Sequence, residues 1–252
     1  MTGASAGLGQ ALARELARRQ YDLVLVARRR DRLAALATEL SDAHGTKSVS
    51  IDADLANADG RERLLAGVDA IGRLPTLFVN NAGFGHSGHA LEIPTTRSHE
   101  MVDLNVTALM HLTIEMVRRM KSGGGGSVLN IASTAAYQPV PWMAVYGATK
   151  AFVLSFSEAL NAELDGTGVR VFATSPGYID TEFQQVAGVG PGAAVVPYTT
   201  PEEFAVRCID AYEEGRTTHL DGAVNKLSIF SQRFVPRSLA VYTQKKYFKP
   251  KK

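Results

Sequence analysis

The sequence predicts a single α/β domain built on a doubly wound, mostly parallel sheet. Apolar segments of strand length alternate along the chain with longer segments of helical apolar spacing, which is the rhythm of βαβ units. Glycine and polar clusters follow several of the apolar runs, and sheets of this kind bind ligands at the carboxyl ends of their strands. The chain has 252 residues, 45% of them hydrophobic, which is enough for one substantial core.

The predicted elements begin with a helix directly after Gly9 and a strand over residues 21–27. A Leu/Ala-striped helix over 31–44 and a short strand over 47–52 follow, and Asn57 is placed to cap the next helix, which runs to about residue 71. The remaining predicted elements are strands over 76–80, 127–133, 168–177 and 217–222 and helices over 98–121, 147–164 and 200–215.

The start of the chain departs from this rhythm. A phosphate-binding loop normally connects a buried strand to a helix. Here Met1 is followed directly by Thr2 and Gly3, with no strand-like segment before them. We therefore expect the first strand of the sheet to be missing, and we favour a truncated start over a sheet without its central strand.

Gly3, Gly7 and Gly9 lie immediately before the first predicted helix. Free backbone N–H groups at a helix N-terminus attract phosphate, and glycines allow the phosphate to come close to the backbone. Such a glycine pattern is weak evidence by itself. Its position before a helix and a strand-like run predicts a pyrophosphate-binding loop.

Arg28 and its two neighbours follow the second predicted strand. An acidic residue near this point binds the ribose 2′-hydroxyl of NAD, whereas an arginine suits the 2′-phosphate of NADP. The arginines therefore favour NADP(H), with NAD(H) as the alternative. A purely structural interpretation is that the arginines at 28–30 are surface residues at the end of the strand and the start of the next helix.

Residues 133–150 place a hydroxyl, a phenol and an ammonium group close together in sequence. Tyr146 and Lys150 are four residues apart, so in a helix they project from one face. A phenol with a pKa of about 10 is a poor proton donor or base at neutral pH, and a neighbouring cation stabilises its phenolate. The pair predicts an acid–base group that awaits a positively charged cofactor, although most such pairs lie on protein surfaces.

Composition narrows the remaining function classes. The single cysteine, Cys208, excludes an internal disulfide, and no apolar run reaches the ~18 residues of a spanning helix. We expect a cytoplasmic protein. His86 and His89 have no cysteine or carboxylate cluster beside them, so we expect no metal site. The Gly/Pro/Val stretch over 187–198 is long enough to be a lid over the substrate.

The C-terminal segment differs in charge from the rest of the chain. From Leu220 onward there are eight lysines or arginines against one aspartate, in a protein of net charge +2. We divide the chain into a catalytic domain, residues 1–222, and a basic amphipathic tail, residues 223–252. The tail could cover the substrate pocket, dock on a partner subunit or lie on a membrane surface, with peripheral membrane contact the least favoured of the three. No nucleic-acid partner is expected, because the motifs of a known binding module are absent.

Several of these motifs together resemble the short-chain dehydrogenase/reductase family. The resemblance extends from residue 2 to about residue 181. The motifs, in the family's order and spacing, are Thr2-Gly3-x-x-x-Gly7-x-Gly9, Asn80-Asn81-Ala82-Gly83, Asn105, Ser133, Tyr146-x-x-x-Lys150 and Pro176-Gly177. The family implies a Rossmann-type single domain, a homodimer or homotetramer, and a nicotinamide dinucleotide cofactor.

The resemblance also implies individual roles. Tyr146 would be the general acid or base, Lys150 would lower its pKa and hold the nicotinamide ribose, and Ser133 would bind the substrate oxygen. Asn105 would hold a water that links Lys150 to solvent. The implied cofactor-binding residues are Gly3, Ser5, Gly7, Leu8, Gly9, Arg28, Asp54, Leu55, Asn81, Ala82, Gly83, Tyr146, Lys150, Pro176, Gly177, Ile179 and Thr181.

The leading interpretation is an NADP(H)-dependent oxidoreductase that interconverts a carbonyl and an alcohol, with a small hydrophobic substrate. The alternative is a cofactor-binding regulatory or scaffold protein without turnover, which the irregular start makes worth considering. The region after Gly177 matches no pattern for a named substrate. The sequence therefore leaves substrate identity and direction open.

Overall fold

The structure is a computed structural model that describes residues 1–188 and 199–247, so most of the expected lid and the last residues of the tail lie outside it. The strands are β1 (Leu23–Ala27), β2 (Ser48–Asp52), β3 (Leu77–Asn80), β4 (Gly126–Ile131), β5 (Val169–Ser175) and β6 (Thr218–Leu220). The helices are α1 (Gly7–Arg18), α2 (Arg30–His44), α3 (Ala58–Ala70), α4 (Thr95–Val102), α5 (Leu109–Ser122), α6 (Ala144–Glu163), α7 (Glu182–Ala187), α8 (Pro201–Glu213), α9 (Ala223–Ser231) and α10 (Arg237–Tyr247).

Every strand pairing in the described residues is parallel. β1 pairs with β2, and β3, β4, β5 and β6 pair in that order as a second group. The first residues of the chain lie between the two groups: Thr2 forms a parallel bridge with Val26 and donates its backbone N–H to the carbonyl of Val79 at 2.9 Å. Residues of the chain start thus connect β1 to β3.

Helices cover both faces of this sheet, as the predicted doubly wound class requires. Leu129 of β4 packs in a core with α1, α2 and α8, whereas the preceding residue, Val128, packs in a core with α3 and α5. Successive strand residues point to opposite faces, so a strand buried on both sides is apolar throughout. This explains why the strands appear in the sequence as continuous apolar runs.

The structure confirms the Rossmann-type α/β class and differs from the predicted elements in several helices, including α9 and α10 of the tail. The single helix expected over 98–121 is α4 and α5 joined by a π-helical segment, Asp103–Ala108, and it begins earlier, at Thr95. The short helix α7 was not predicted. Among the described residues no helix is both long and apolar enough to cross a membrane.

Candidate active site

A cleft of about 320 Å³ opens at the carboxyl edge of the sheet, where β1 and β3 lie on either side of the chain start. It is lined by residues that follow five different strands and by residues of the glycine loop, α1, α6 and α7. The predicted site residues in its wall are Gly3, Ser5, Gly7, Leu8, Gly9, Arg28, Asp54, Leu55, Asn81, Ala82, Gly83, Ser133, Tyr146, Lys150, Pro176, Gly177, Ile179 and Thr181. Asn105 is the one predicted residue that lies behind this wall.

The N-terminus of α1 forms one end of the cleft. Gly3 and Gly7 have φ angles of +67° and +52°, in the left-handed region that side chains disfavour. The residue before the helix, Ala6, has no polar side chain to cap it, and the first turn carries no carboxylate. The first backbone N–H groups of a helix have no partner within the helix and favour anions. This end therefore fits a phosphate group.

The glycine loop is held against the end of β3. The Asn81 amide donates to the carbonyl oxygens of Thr2 and Gly3 at 3.1 and 3.3 Å, and the Thr2 hydroxyl accepts the backbone N–H groups of Asn81 and Ala82, both at 3.0 Å. A Cβ at Gly9 would lie 2.1 Å from the carbonyl oxygen of Gly3. Only glycine fits at that position, and the Asn81 side chain is used to position the loop.

Charged side chains line the cleft beside this loop. Arg28 is exposed in its wall. Arg29, which the prediction did not single out, donates to the Ser5 hydroxyl at 3.1 Å and to the Glu182 carboxylate at 3.1 Å. Arg32 donates to the other Glu182 oxygen at 2.8 Å, and the two guanidinium groups lower the pKa of that carboxyl. The arginines that the sequence predicts for binding a 2′-phosphate therefore lie at the cleft, and Arg29 already forms an ion pair with Glu182.

The other end of the cleft brings together Ser133, Tyr146 and Lys150. All three are buried: Ser133 follows β4, and the other two lie on one face of α6. Burial raises the pKa of Tyr146 to about 12, and a hydrogen bond with Ser133 acts in the opposite direction. The Ser133 hydroxyl also accepts the backbone N–H of Ala135 at 3.1 Å. The predicted trio is therefore assembled around one phenol that keeps its proton at neutral pH.

Lys150 lowers the pKa of the Tyr146 phenol less than the sequence predicts. Its ammonium nitrogen lies 5.9 Å from the centre of the Tyr146 ring and donates to the carbonyl oxygen of Ile131 at 2.8 Å. Burial lowers the pKa of this amine to about 8. In the protein alone, desolvation is the dominant effect on the pKa of both groups. The phenol pKa is raised where a lowering was expected.

Asn105 lies within the π-helical segment, whose wider turn displaces it from the regular helical register. Its amide donates to the carbonyl of Phe84 at 2.9 Å and to the Thr149 hydroxyl at 3.2 Å, and its oxygen accepts the Phe84 N–H at 3.1 Å. A Cβ at Gly83 would lie 2.9 Å from the Asn105 oxygen and 3.7 Å from the Lys150 nitrogen. Asn105 and Lys150 are thus neighbours on the buried side of Gly83.

The cleft near Tyr146 has an apolar wall that the sequence did not reveal. It is formed by Phe84, Leu104, Phe183 and Val186. The Phe183 ring packs on the Tyr146 ring with their centres 5.4 Å apart. Phe183 and Val186 belong to α7, whose Thr181 capping box holds its first turn. The short helix therefore forms one side of the space in front of the phenol.

The fold and this cleft define a nucleotide-binding oxidoreductase of Rossmann type. A sequence profile of the short chain dehydrogenase family matches residues 1–189, and the chain belongs to that family. Sulfoacetaldehyde reductase 2 of Chromohalobacter salexigens is 36% identical over 200 residues, which is 77% of this chain and 77% of that protein. Serine 3-dehydrogenase of Agrobacterium fabrum is 37% identical over 188 residues, covering 74% and 73%.

Solved structures agree with this assignment. A short-chain dehydrogenase from Sphingobium yanoikuyae in complex with NADPH matches with a TM-score of 0.81 and 32% identity, covering 93% of this chain and 92% of that one. The similarity extends beyond residue 189, into the C-terminal part of the chain. This structural relative thus binds a nicotinamide cofactor.

Proposed function

We propose that this protein is an NADP(H)-dependent oxidoreductase that interconverts a carbonyl and an alcohol, with Tyr146 as the general acid or base. The observation that carries the proposal is that Ser133, Tyr146 and Lys150 line one end of the cleft whose other end is the uncapped N-terminus of α1. This arrangement supports a cofactor that extends from the glycine loop to the tyrosine. The cofactor, when bound, supplies or accepts the hydride.

The buried groups account for the proton transfer. In reduction, Tyr146 holds a proton at its hydroxyl, and the raised pKa keeps that proton in place until a carbonyl oxygen becomes basic. Ser133, fixed by the N–H of Ala135, donates to the same oxygen and stabilises its developing charge. Lys150 provides positive charge beside the phenol, and Asn105, its neighbour across Gly83, belongs to the route by which the proton is replaced.

Preference for NADP(H) over NAD(H) is supported by the charges at the glycine-loop end. Arg28 and Arg29 both line the cleft, and no carboxylate directly follows β1. Guanidinium groups bind phosphate with paired, charge-assisted hydrogen bonds. Asp54 and Leu55 follow β2 and would contact the adenine.

A hydrophobic substrate is supported by the apolar wall of Phe84, Leu104, Phe183 and Val186. Aromatic and aliphatic surface in a cleft favours apolar ligands, with a few polar groups fixing their orientation. Here Ser133 and Tyr146 are those polar groups. We propose residues 1–222 as the catalytic unit and 223–252 as an appended tail.

Replacing Tyr146 with Phe tests this proposal. We expect the turnover number to fall by about 10²–10⁴-fold, the usual contribution of a general acid or base. The affinity for NADPH, measured by fluorescence titration, should stay close to that of the wild-type chain. Substrate is chosen by screening aldehydes and apolar ketones with NADPH. Retained turnover in the variant would contradict the role of Tyr146, and NADPH binding without oxidation by any substrate would favour a protein without turnover.

A further inference from the structure

The Glu182 ion-pair cluster, made of Arg29, Arg32 and Glu182, joins two parts of the cleft wall that are distant in sequence. Arg29 directly precedes α2, shortly after β1, and Arg32 lies in the first turn of α2, whereas Glu182 is the first residue of α7. Each of the two carboxylate oxygens accepts a hydrogen bond from one guanidinium group, at 3.1 and 2.8 Å. Both Arg29 and Glu182 line the cleft.

The position of Arg29 connects this cluster to the phosphate-binding end. Its Nε donates to the hydroxyl of Ser5, a residue of the glycine loop, while its Nη1 binds Glu182. Arg29 therefore lies beside the glycine loop and shortly after β1, where a Rossmann-type fold binds the adenosine ribose of a dinucleotide. A cofactor phosphate and the Glu182 carboxylate are both anions that bind guanidinium donors, so they compete for the same groups.

Charge decides the outcome of this competition. A phosphate monoester carries close to two negative charges at neutral pH, so it attracts a guanidinium more strongly than a carboxylate does. A carboxylate that remains beside the phosphate repels it. Side chains of the cluster are about half exposed, with Arg29 and Glu182 at 46% and Arg32 at 49%, so each pair is screened and weak.

We infer that Glu182 is a specificity-determining residue that opposes binding of the cofactor's 2′-phosphate by occupying Arg29 and Arg32. This inference rests on the proposed function, since it concerns the same cofactor. It implies that the preference for NADP(H) over NAD(H) is set by Arg29 and Arg32 and by an acidic residue on α7, 153 and 150 positions later. It also places that residue next to Phe183, which packs on the Tyr146 ring.

The test is a fluorescence titration of NADPH and NADH with the full chain and with Glu182→Gln. Removing the carboxylate frees both guanidinium groups, so we expect the Kd for NADPH to fall by about two- to fivefold, the range of partly exposed ion pairs. The Kd for NADH, which has no 2′-phosphate, should not change. Glu62→Gln is the matched control, because it removes an exposed carboxylate from α3 with the same change in net charge.

Glu182→Ala is titrated in parallel, with thermal unfolding of each variant as a check of folding, and it should shift NADPH affinity in the same direction. Unchanged or weaker NADPH binding in both variants would overturn the inference, as would equal gains for NADPH and NADH. If the wild-type chain bound neither cofactor, the proposed function itself would fail. If it bound NADPH while the variants behaved like wild type, only the role of Glu182 would be lost.

Discussion

The two ends of the cleft differ in how far their polar groups are removed from water. At the glycine-loop end the side chains of Arg29 and Glu182 are each 46% exposed. At the proposed catalytic end Ser133, Tyr146 and Lys150 are 8%, 9% and 6% exposed. Exposed charges are screened and adjust affinity by small factors, whereas buried groups act with little competition from solvent.

Because of this difference, the residues proposed to select the cofactor are separate from those proposed to carry out proton transfer. Several weak contacts at the exposed end can be changed without altering the buried groups that transfer the proton in the proposed function. The buried end depends on few groups, each with one or two partners, such as Lys150 with the carbonyl of Ile131. Variants at the catalytic end should therefore affect turnover strongly, and variants at the other end should affect binding.

Lys150→Met should have the largest effect. The substitution keeps the approximate length of the side chain but removes the cation beside Tyr146. The phenolate form of Tyr146 is therefore no longer stabilised by a positive charge. We expect the turnover number to fall by about 10²–10⁴-fold, the range for general acid–base catalysis. Steady-state assays in both reaction directions measure this change. Lys121→Met, at an exposed position on α5, is the control and should keep wild-type turnover.

The same pair of variants tests the burial of the amine. The pKa of Lys150 is lowered from its ordinary value of 10.5 to about 8, so between these pH values the unfolded chain binds more protons at this lysine than the folded chain. The contribution of Lys150 to the free energy of unfolding should rise with pH from 8 to 10, at roughly 1.4 kcal/mol per pH unit at most, and be constant below 8. Denaturant unfolding measures this contribution as the difference between Lys121→Met and Lys150→Met, and a difference that does not change with pH would contradict the assignment.

Ser133→Ala should have the next largest effect. The hydroxyl is a donor to the reacting oxygen in the proposed mechanism, and loss of one such donor costs about 10²–10³-fold in turnover. In the protein without substrate its hydrogen bond lowers the pKa of Tyr146, so in Ser133→Ala the rising limb of the pH–rate profile for alcohol oxidation, where the phenol loses its proton, should move to higher pH. Ser133→Thr retains a hydroxyl and should recover part of the rate. An unshifted profile in Ser133→Ala would show that the serine does not act on the tyrosine.

Much of the site was predictable because several motifs lie at the carboxyl end of their own strands. A parallel sheet brings these ends to one edge, so Arg28, Asn81 and Ser133 had to meet once the strands were identified. The four-residue spacing of Tyr146 and Lys150 predicted that both lie on one face of α6. Local signals of this kind need no knowledge of how helices pack.

The features that were missed depend on contacts distant in sequence. Glu182 is 153 residues from Arg29, and nothing near either residue indicates the ion pair. The π-helical segment shifts the hydrogen-bond register by one residue, a change that apolar periodicity does not record. The raised pKa of Tyr146 follows from its burial, which depends on packing against Phe183 and other residues.

Gly9→Ala tests whether the backbone of the glycine loop, at the more exposed end of the cleft, forms a phosphate site. The new Cβ would lie 2.1 Å from the Gly3 carbonyl oxygen and 2.5 Å from the Asn81 amide nitrogen, so the glycine loop must move. We expect NADPH affinity to fall by about tenfold or more, together with a loss of stability of about 1–3 kcal/mol from overpacking. Gly67→Ala is the control, because its Cβ meets only the flexible tip of Ile51. Equal NADPH affinity in the two variants would contradict a phosphate site at this loop.

Arg28→Ala should have the smallest effect and distinguishes Arg28 from Arg29. Arg28 is exposed in the cleft wall, while Arg29 is already bound to Ser5 and Glu182. A single exposed guanidinium that binds the 2′-phosphate should change NADPH affinity by about two- to fivefold and leave NADH affinity unchanged. Raising the salt concentration should reduce the difference between Arg28→Ala and wild type, because solvent-exposed charges are screened. A larger loss of NADPH affinity in Arg29→Ala than in Arg28→Ala would identify Arg29 as the main phosphate ligand and assign cofactor choice to the arginine that also contacts the glycine loop.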